Sequence, residues 1–229
     1  MALYEKMPGG REPLRSAAWH LQLGEAYYAL GKFGPSLDYI NRALVLMGRR
    51  PPRHVWQHLM SLLWGLVVQA IHRCFPVVFV KQPGPQSPSL LDAARANERL
   101  CQIYYMENAL IQSTTAAVTA LNLAEGAGAS PELARSYTNM SVTVSLANAY
   151  PLANLYERRA LQTGAAVGHV PSLAYVNEVV GLYHVGAGHW QQAEARFDES
   201  MALAETIGDR RRWDEAAFLR AITFHRHGR

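Results

Sequence analysis

Four sets of three small residues recur along this 229-residue chain in one register. Gly24, Ser36 and Ala43 are spaced by 12 and then 7 residues, and Cys101, Ser113 and Ala120 repeat those spacings. So do Ser141, Ala153 and Ala160, then Gly181, Ala193 and Ser200, with the last three sets offset by 40 residues each. Self-similarity at such a period is the signature of a solenoid whose repeats each pack on their neighbours. Small residues matter because of distance. Two antiparallel helices approach to about 8–10 Å only where their facing side chains leave room, so each set marks the place where one helical hairpin closes. The expected fold is all-α, a solenoid of antiparallel helix pairs with about ten helices and one degenerate repeat.

The periodicity divides the chain as follows. Residues 1–13 read as a flexible lead. Residues 14–75 hold a first hairpin, with helices expected over 16–30 and 35–47 and a turn at Gly31-Lys32, followed by a long helix from Arg53 to Cys74. Within that helix Gly65 follows Gly24 by 41 residues, but the positions 12 and 19 further on are Val77 and Gly84. Pro76, Pro83, Pro85 and Pro88 forbid a helix there, so this is a degenerate repeat: one long buried helix, then an irregular connection over 76–89. Residues 90–208 carry three regular pairs, 90–106 with 109–125, 131–149 with 152–167, and 172–185 with 191–207. Ser130-Pro131-Glu132 combines a cap, a first-turn proline and an early acid. Asp209 caps a last helix within 209–229.

The chain is 49% apolar and 17% charged with a net charge of +4, a globular profile with a mild basic excess. Much of the excess sits in two short clusters, Arg49, Arg50 and Arg53, and Arg210, Arg211 and Arg212, read as solvated turn residues. Nucleic-acid binders show a continuous basic stripe instead, so no nucleic-acid partner is expected. The two cysteines, Cys74 and Cys101, have neither metal-ligand nor disulfide spacing, which suits a reducing cytoplasm. The apolar stretch from Leu59 to Val80 contains Gln69, His72, Arg73 and Pro76, which argues against a spanning helix.

The segment WHLQLGEAYYALGKFGPSLDYINRAL resembles a tetratricopeptide repeat (TPR), with Leu23-Gly24, Tyr27, Gly31, Phe33 and Ala43 at that family's motif positions. Trp19 departs from the pattern by one residue, and the 40-residue period exceeds the usual ~34, so the helices are longer. The resemblance implies a TPR-like right-handed superhelical solenoid. A narrower resemblance rests on LGEAYYALG, ANERLCQIYY, ALNLAEGAGASPELARSYTNM and AETIGDRRRWDEA. It is to the C-terminal helical-repeat region of bacterial multidomain adenylate or guanylate cyclase–ATPase signalling proteins, and it implies a regulatory or scaffolding role. That family's nucleotide chemistry is not carried over, because Gly31-Lys32-Phe33 lacks the glycine spacing and the Ser or Thr of a P-loop.

First helices of such a solenoid line its concave face. Residues one after the first small residue of a set, or three before it, are expected to point inward: Glu25, Glu98, Gln102, Thr138 and Glu178. Tyr28 and Tyr105 join them, with Arg95, Arg135 and Tyr175 near the edge. A groove of acids, an amide and tyrosines suits a protein or peptide partner better than a polyanion. His54 and His58 are spaced i, i+4 but lack the zinc-protease Glu and a third ligand, so no metal or other cofactor is expected. No nucleophile–base arrangement stands out, so no catalytic residue is assigned. The alternative is a small-molecule-binding or enzymatic pocket lined by Trp56, Trp64 and Val77–Val80. A homo-oligomer through Val77–Val80 and the last helix is the third possibility.

Overall fold

Seven residues after the first small residue of every set, the backbone turns left-handed: φ is 69° at Gly31, 57° at Asn108, 57° at Asn148 and 76° at Gly188. The following N–H then donates back across the helix end in all four cases, Lys32 to Tyr27 O at 2.9 Å, Ala109 to Tyr104 O at 2.8 Å, Ala149 to Val144 O at 3.1 Å and His189 to His184 O at 2.9 Å. Gly has no Cβ to clash in this conformation, and the short polar Asn side chain tolerates it. The register therefore specifies the turn of each hairpin as well as its closure.

The structure is a computed structural model that describes residues 12–74 and 87–226, among which all regular structure is helical and no strand occurs. The helices are α1 (Glu12–Ala29), α2 (Phe33–Leu46), α3 (Val55–Cys74), α4 (Ser87–Met106), α5 (Leu110–Ala127), α6 (Pro131–Ser145), α7 (Tyr150–Val167), α8 (Val170–Ala187), α9 (Trp190–Thr206) and α10 (Arg210–Arg226). Two compact units divide them, residues 1–127 and 128–229. Most bounds fall within a few residues of expectation. Two differ for clear reasons: α6 ends at Ser145 because the left-handed turn at Asn148 follows, and α4 starts at Ser87 because Pro88 fits a first turn, where its missing N–H has no partner to lose. Val77–Val80 and most of the proline-rich connection lie outside the described residues.

All twelve small residues of the four sets are buried. In the first hairpin, Ser36 Oγ donates to Gly24 O at 2.8 Å, and a Cβ on Gly24 would lie 2.6 Å from Ile40. In the second, Ser113 Oγ donates to Cys101 O at 2.9 Å. Burial pushes the Cys101 thiol up to about 11, which leaves it an inert packing residue. In α8, Gly181 lies beneath the fully buried Phe197 of α9.

In the first unit α1 and α2 form one hairpin and α4 and α5 another; α1 and α2 lie against α4, and α3 lies against α5. Gly65 seats α3 on Val118, and Asn122 Nδ2 donates to Gly65 O at 3.1 Å. Beside it the nearly inaccessible Glu125 carboxylate accepts from Gln69 Nε2 at 2.7 Å and meets His72 Nδ1 at 2.6 Å. The expectation that α3 is buried is corrected here. Only His58, Gly65 and Gln69 are buried in it, because its contact with α5 runs along one face.

Burial of His58, facing Tyr104 edge-on at 6.2 Å, pulls its pKa below the ordinary 6.5, against an opposing backbone hydrogen bond at Pro52. As the pH falls through 6.5 the unfolded chain takes up this proton first, so His58 stabilises the fold above that pH and the contribution is lost as acid overtakes its folded pKa. Urea denaturation at pH 5 and 7 is expected to show a smaller loss of stability in acid for His58→Phe than for the unsubstituted chain; equal losses would contradict this.

The second unit stacks the α6–α7 hairpin on the α8–α9 hairpin, with α8 against both α6 and α7, and α10 packs on α9 and α8. Ser130 Oγ caps α6 by accepting from Leu133 N at 3.2 Å, and Asp209 Oδ1 accepts from Arg212 N at 3.0 Å at the start of α10.

Candidate functional site

The polar and aromatic residues expected at a groove form two separate clusters, one within each unit. In the first unit α1 carries Glu25 and Tyr28, and the neighbouring α4 supplies Arg99. The Arg99 guanidinium donates through Nε to Glu25 Oε1 at 3.0 Å, pairs with Glu25 Oε2 through Nη2, and lies 3.8 Å from the Tyr28 ring centroid. Burial is the strongest single influence and works against its charge, but Glu25, Glu98 and Tyr28 together outweigh it and hold the guanidinium above its ordinary pKa. Gln102 Oε1 accepts from Arg99 Nη1, so one cation fixes an acid, an amide and a ring. Tyr105 is half exposed at 53%, and Arg95 is exposed beside Asp92 at 3.5 Å.

In the second unit Tyr175 lies between two arginines, Arg135 at 4.5 Å and Arg212 at 5.1 Å from its ring centroid, and its hydroxyl donates to Asn139 Oδ1 at 2.6 Å. Arg212 Nη1 donates to Glu178 Oε2 at 2.8 Å. Burial pushes the Glu178 carboxyl above its ordinary pKa, with Arg212 pulling the other way. Each unit thus holds a tyrosine, an arginine stacked on it and an acid paired with that arginine.

Four of the expected groove residues are placed differently. Glu98, Thr138 and Glu178 are buried, at 4%, 0% and 7% exposure, and so is Tyr175 at 7%. The position three before the first small residue also holds Leu21, 6% exposed in α1. It is a packing position. Glu178 shows the reason: α10 packs against its helix and brings Arg212 onto the carboxylate. The Thr138 hydroxyl is donated to Ala134 O at 2.9 Å, within its own helix. Glu25, Tyr28, Arg95, Gln102, Tyr105 and Arg135 are at least partly accessible.

Sequence reasoning missed both arginines at the centre of these clusters. Arg210 and Arg211 are the solvated residues expected, pairing with Asp214 and Glu215 at 3.0 and 2.9 Å on the surface of α10. Arg212 is only 13% exposed in its side chain. The available signal was Asp209: a residue three past a helix cap is a full turn in, beside the cap. Arg99 gave a weaker signal, three residues before Gln102 on the same helix face.

Other candidates disperse. His54 is exposed while His58 is buried. Among the described residues no group of three or more His, Cys, Asp or Glu is placed to hold a metal ion. Trp56 and Trp64 are 63% and 68% exposed, and Val77–Val80, the rest of that expected pocket lining, lie outside the described residues. Among the described residues no helix is long and apolar enough to cross a membrane. What the Arg99 cluster offers chemically is recognition, a fixed aromatic face with a delocalised cation and a compensated acid, whereas the Tyr175–Arg212–Glu178 cluster is largely buried and packs the second unit. No protein-family model matches the chain, and no curated protein matches it in sequence.

Proposed function

We propose that this chain is a non-catalytic, TPR-like module that binds a protein or peptide on the accessible faces of its first helices. The observation that carries the reading is the Arg99 cluster, in which a guanidinium held by Glu25 is stacked on Tyr28 across two neighbouring helices. Tyrosine and arginine are the residue types that dominate binding energy at protein interfaces. Here they are ordered before any partner arrives, which lowers the entropic cost of association. Tyr105 occupies on α4 the register position that Tyr28 occupies on α1, four residues after the first small residue of its set. The resemblance to the helical region of cyclase–ATPase signalling proteins supports a regulatory or scaffolding part for such binding.

Selection of a random displayed-peptide library on the intact chain tests this. Peptides that bind at micromolar affinity are expected to lose about tenfold or more on Tyr105→Ala, the change that removes ~1.4 kcal/mol of contact energy. Circular dichroism should be unchanged, because Tyr105 is half exposed. A selection that yields no specific peptide, or peptides indifferent to Tyr105→Ala and Arg95→Glu, would remove the reading.

A further inference from the structure

Helix α3 is amphipathic in the wrong sense for a helix on the outside of a folded unit. Its polar residues turn inward: Gln69 and His72 reach Glu125 on α5, and His58 is buried. The side away from α5 is apolar. At about 100° per residue, Trp56, Met60, Leu63, Val67, Ala70 and Cys74 lie within roughly 40° of the direction opposite Gly65, and all six are exposed. Trp64 and Ile71 flank them on one side, at 68% and 39% exposure, and Leu59 and Leu66 on the other, at 40% and 47%. No polar side chain interrupts this arc.

The six central residues are spaced 4, 3, 4, 3 and 4 apart, the a/d alternation of a helix that packs along its length against another helix. We infer that α3 is a dimerisation helix, and that its outward face packs against the same face of a second copy of this chain. Three observations favour a second copy over other occupants. A two-fold interface must be complementary to itself, and an uncharged apolar strip meets its own copy without like-charge repulsion. The accessible apolar area of the ten residues is on the order of 800 Å², above the ~300–600 Å² of the largest patch on a typical monomer. That is close to the ~800 Å² each partner gives to a standard interface. A membrane-surface helix would pair such a face with a basic face toward the headgroups, whereas α3 carries a single Arg or Lys, Arg73, and turns its polar face onto α5. This inference does not depend on the peptide-binding reading.

Sedimentation velocity of the full chain over about 1–100 μM is expected to show a dimer, since an interface of this size commonly reaches micromolar affinity or better. The double substitution Leu63→Lys with Val67→Lys is expected to give a monomer with unchanged helical circular dichroism, because both positions face outward. Leu63→Gln with Val67→Gln is the milder companion should the charged pair perturb folding, and it too is expected to weaken the dimer at least tenfold. An unsubstituted chain that stays monomeric throughout, whether because its own segments cover the face or because it floats with phosphatidylcholine–phosphatidylserine vesicles, overturns the inference. So does a dimer that survives both double substitutions.

Discussion

Ala43→Glu is expected to unfold the first hairpin. Ala43 is 0% exposed on α2, the third residue of its set. A carboxylate there has no partner, and burying an unpaired charge costs several kcal/mol even after the group protonates. The extra atoms add about 1–3 kcal/mol of overpacking. Against a total domain stability of about 5–15 kcal/mol, this is enough to melt α1 and α2 and expose the face of α4 that they cover. Ala26→Glu introduces the same side chain at an exposed position of α1 and is expected to change stability by no more than about 0.5 kcal/mol. Circular dichroism and thermal melts of the two variants check this; full helicity and an unshifted melt for Ala43→Glu would show that the register does not mark closure.

Gly181→Ala is the second large effect, and its interest lies in direction. In an exposed helix interior, alanine is better than glycine by about 0.5–1 kcal/mol. At Gly181 a Cβ would sit 2.5 Å from one carbon of the Phe197 ring and within 3 Å of two more. Phe197 is fully buried and cannot swing aside. Either the ring leaves its rotamer or α8 and α9 separate, and both cost about 1–3 kcal/mol, which exceeds the propensity gain. At Gly186, five residues on in the same helix, an added Cβ would meet no neighbouring heavy atom within 4 Å.

The helices were legible because apolar periodicity and turn residues agree with each other along most of the chain. The first-helix turns at Asn108 and Asn148 were less so. Asparagine is weaker punctuation than glycine, and only its position seven residues after Cys101 and Ser141 reveals it. Helix α3 misled for a different reason. An apolar run reads as a buried helix, but the run says nothing of direction. Gly65, Gln69 and His72 share one face, and once the glycine brings that face to α5, the tryptophans must turn outward.

The site was legible only by residue type. The tyrosines and acids of the first helices stood out, but their accessibility depends on where the neighbouring first helix lies. Glu178 reads as a groove acid until Arg212 closes on it from α10, whereas Glu25 stays partly accessible while Arg99 reaches it across 74 residues of chain. Long-range ion pairs leave no spacing in the sequence, so only indirect local signals, the Asp209 cap and the Arg99–Gln102 spacing, pointed to these arginines.

Small residues acting as contact points between helices are what hold these hairpins closed. Urea midpoints of Gly181→Ala and Gly186→Ala test this most directly, because the substitution and the helix are shared while only Gly181 faces a neighbouring side chain. Opposite signs are expected: destabilisation by about 1–2 kcal/mol at 181 and neutral to slight stabilisation at 186, up to ~1 kcal/mol. Stabilisation at both positions, or an equal loss at both, would contradict it.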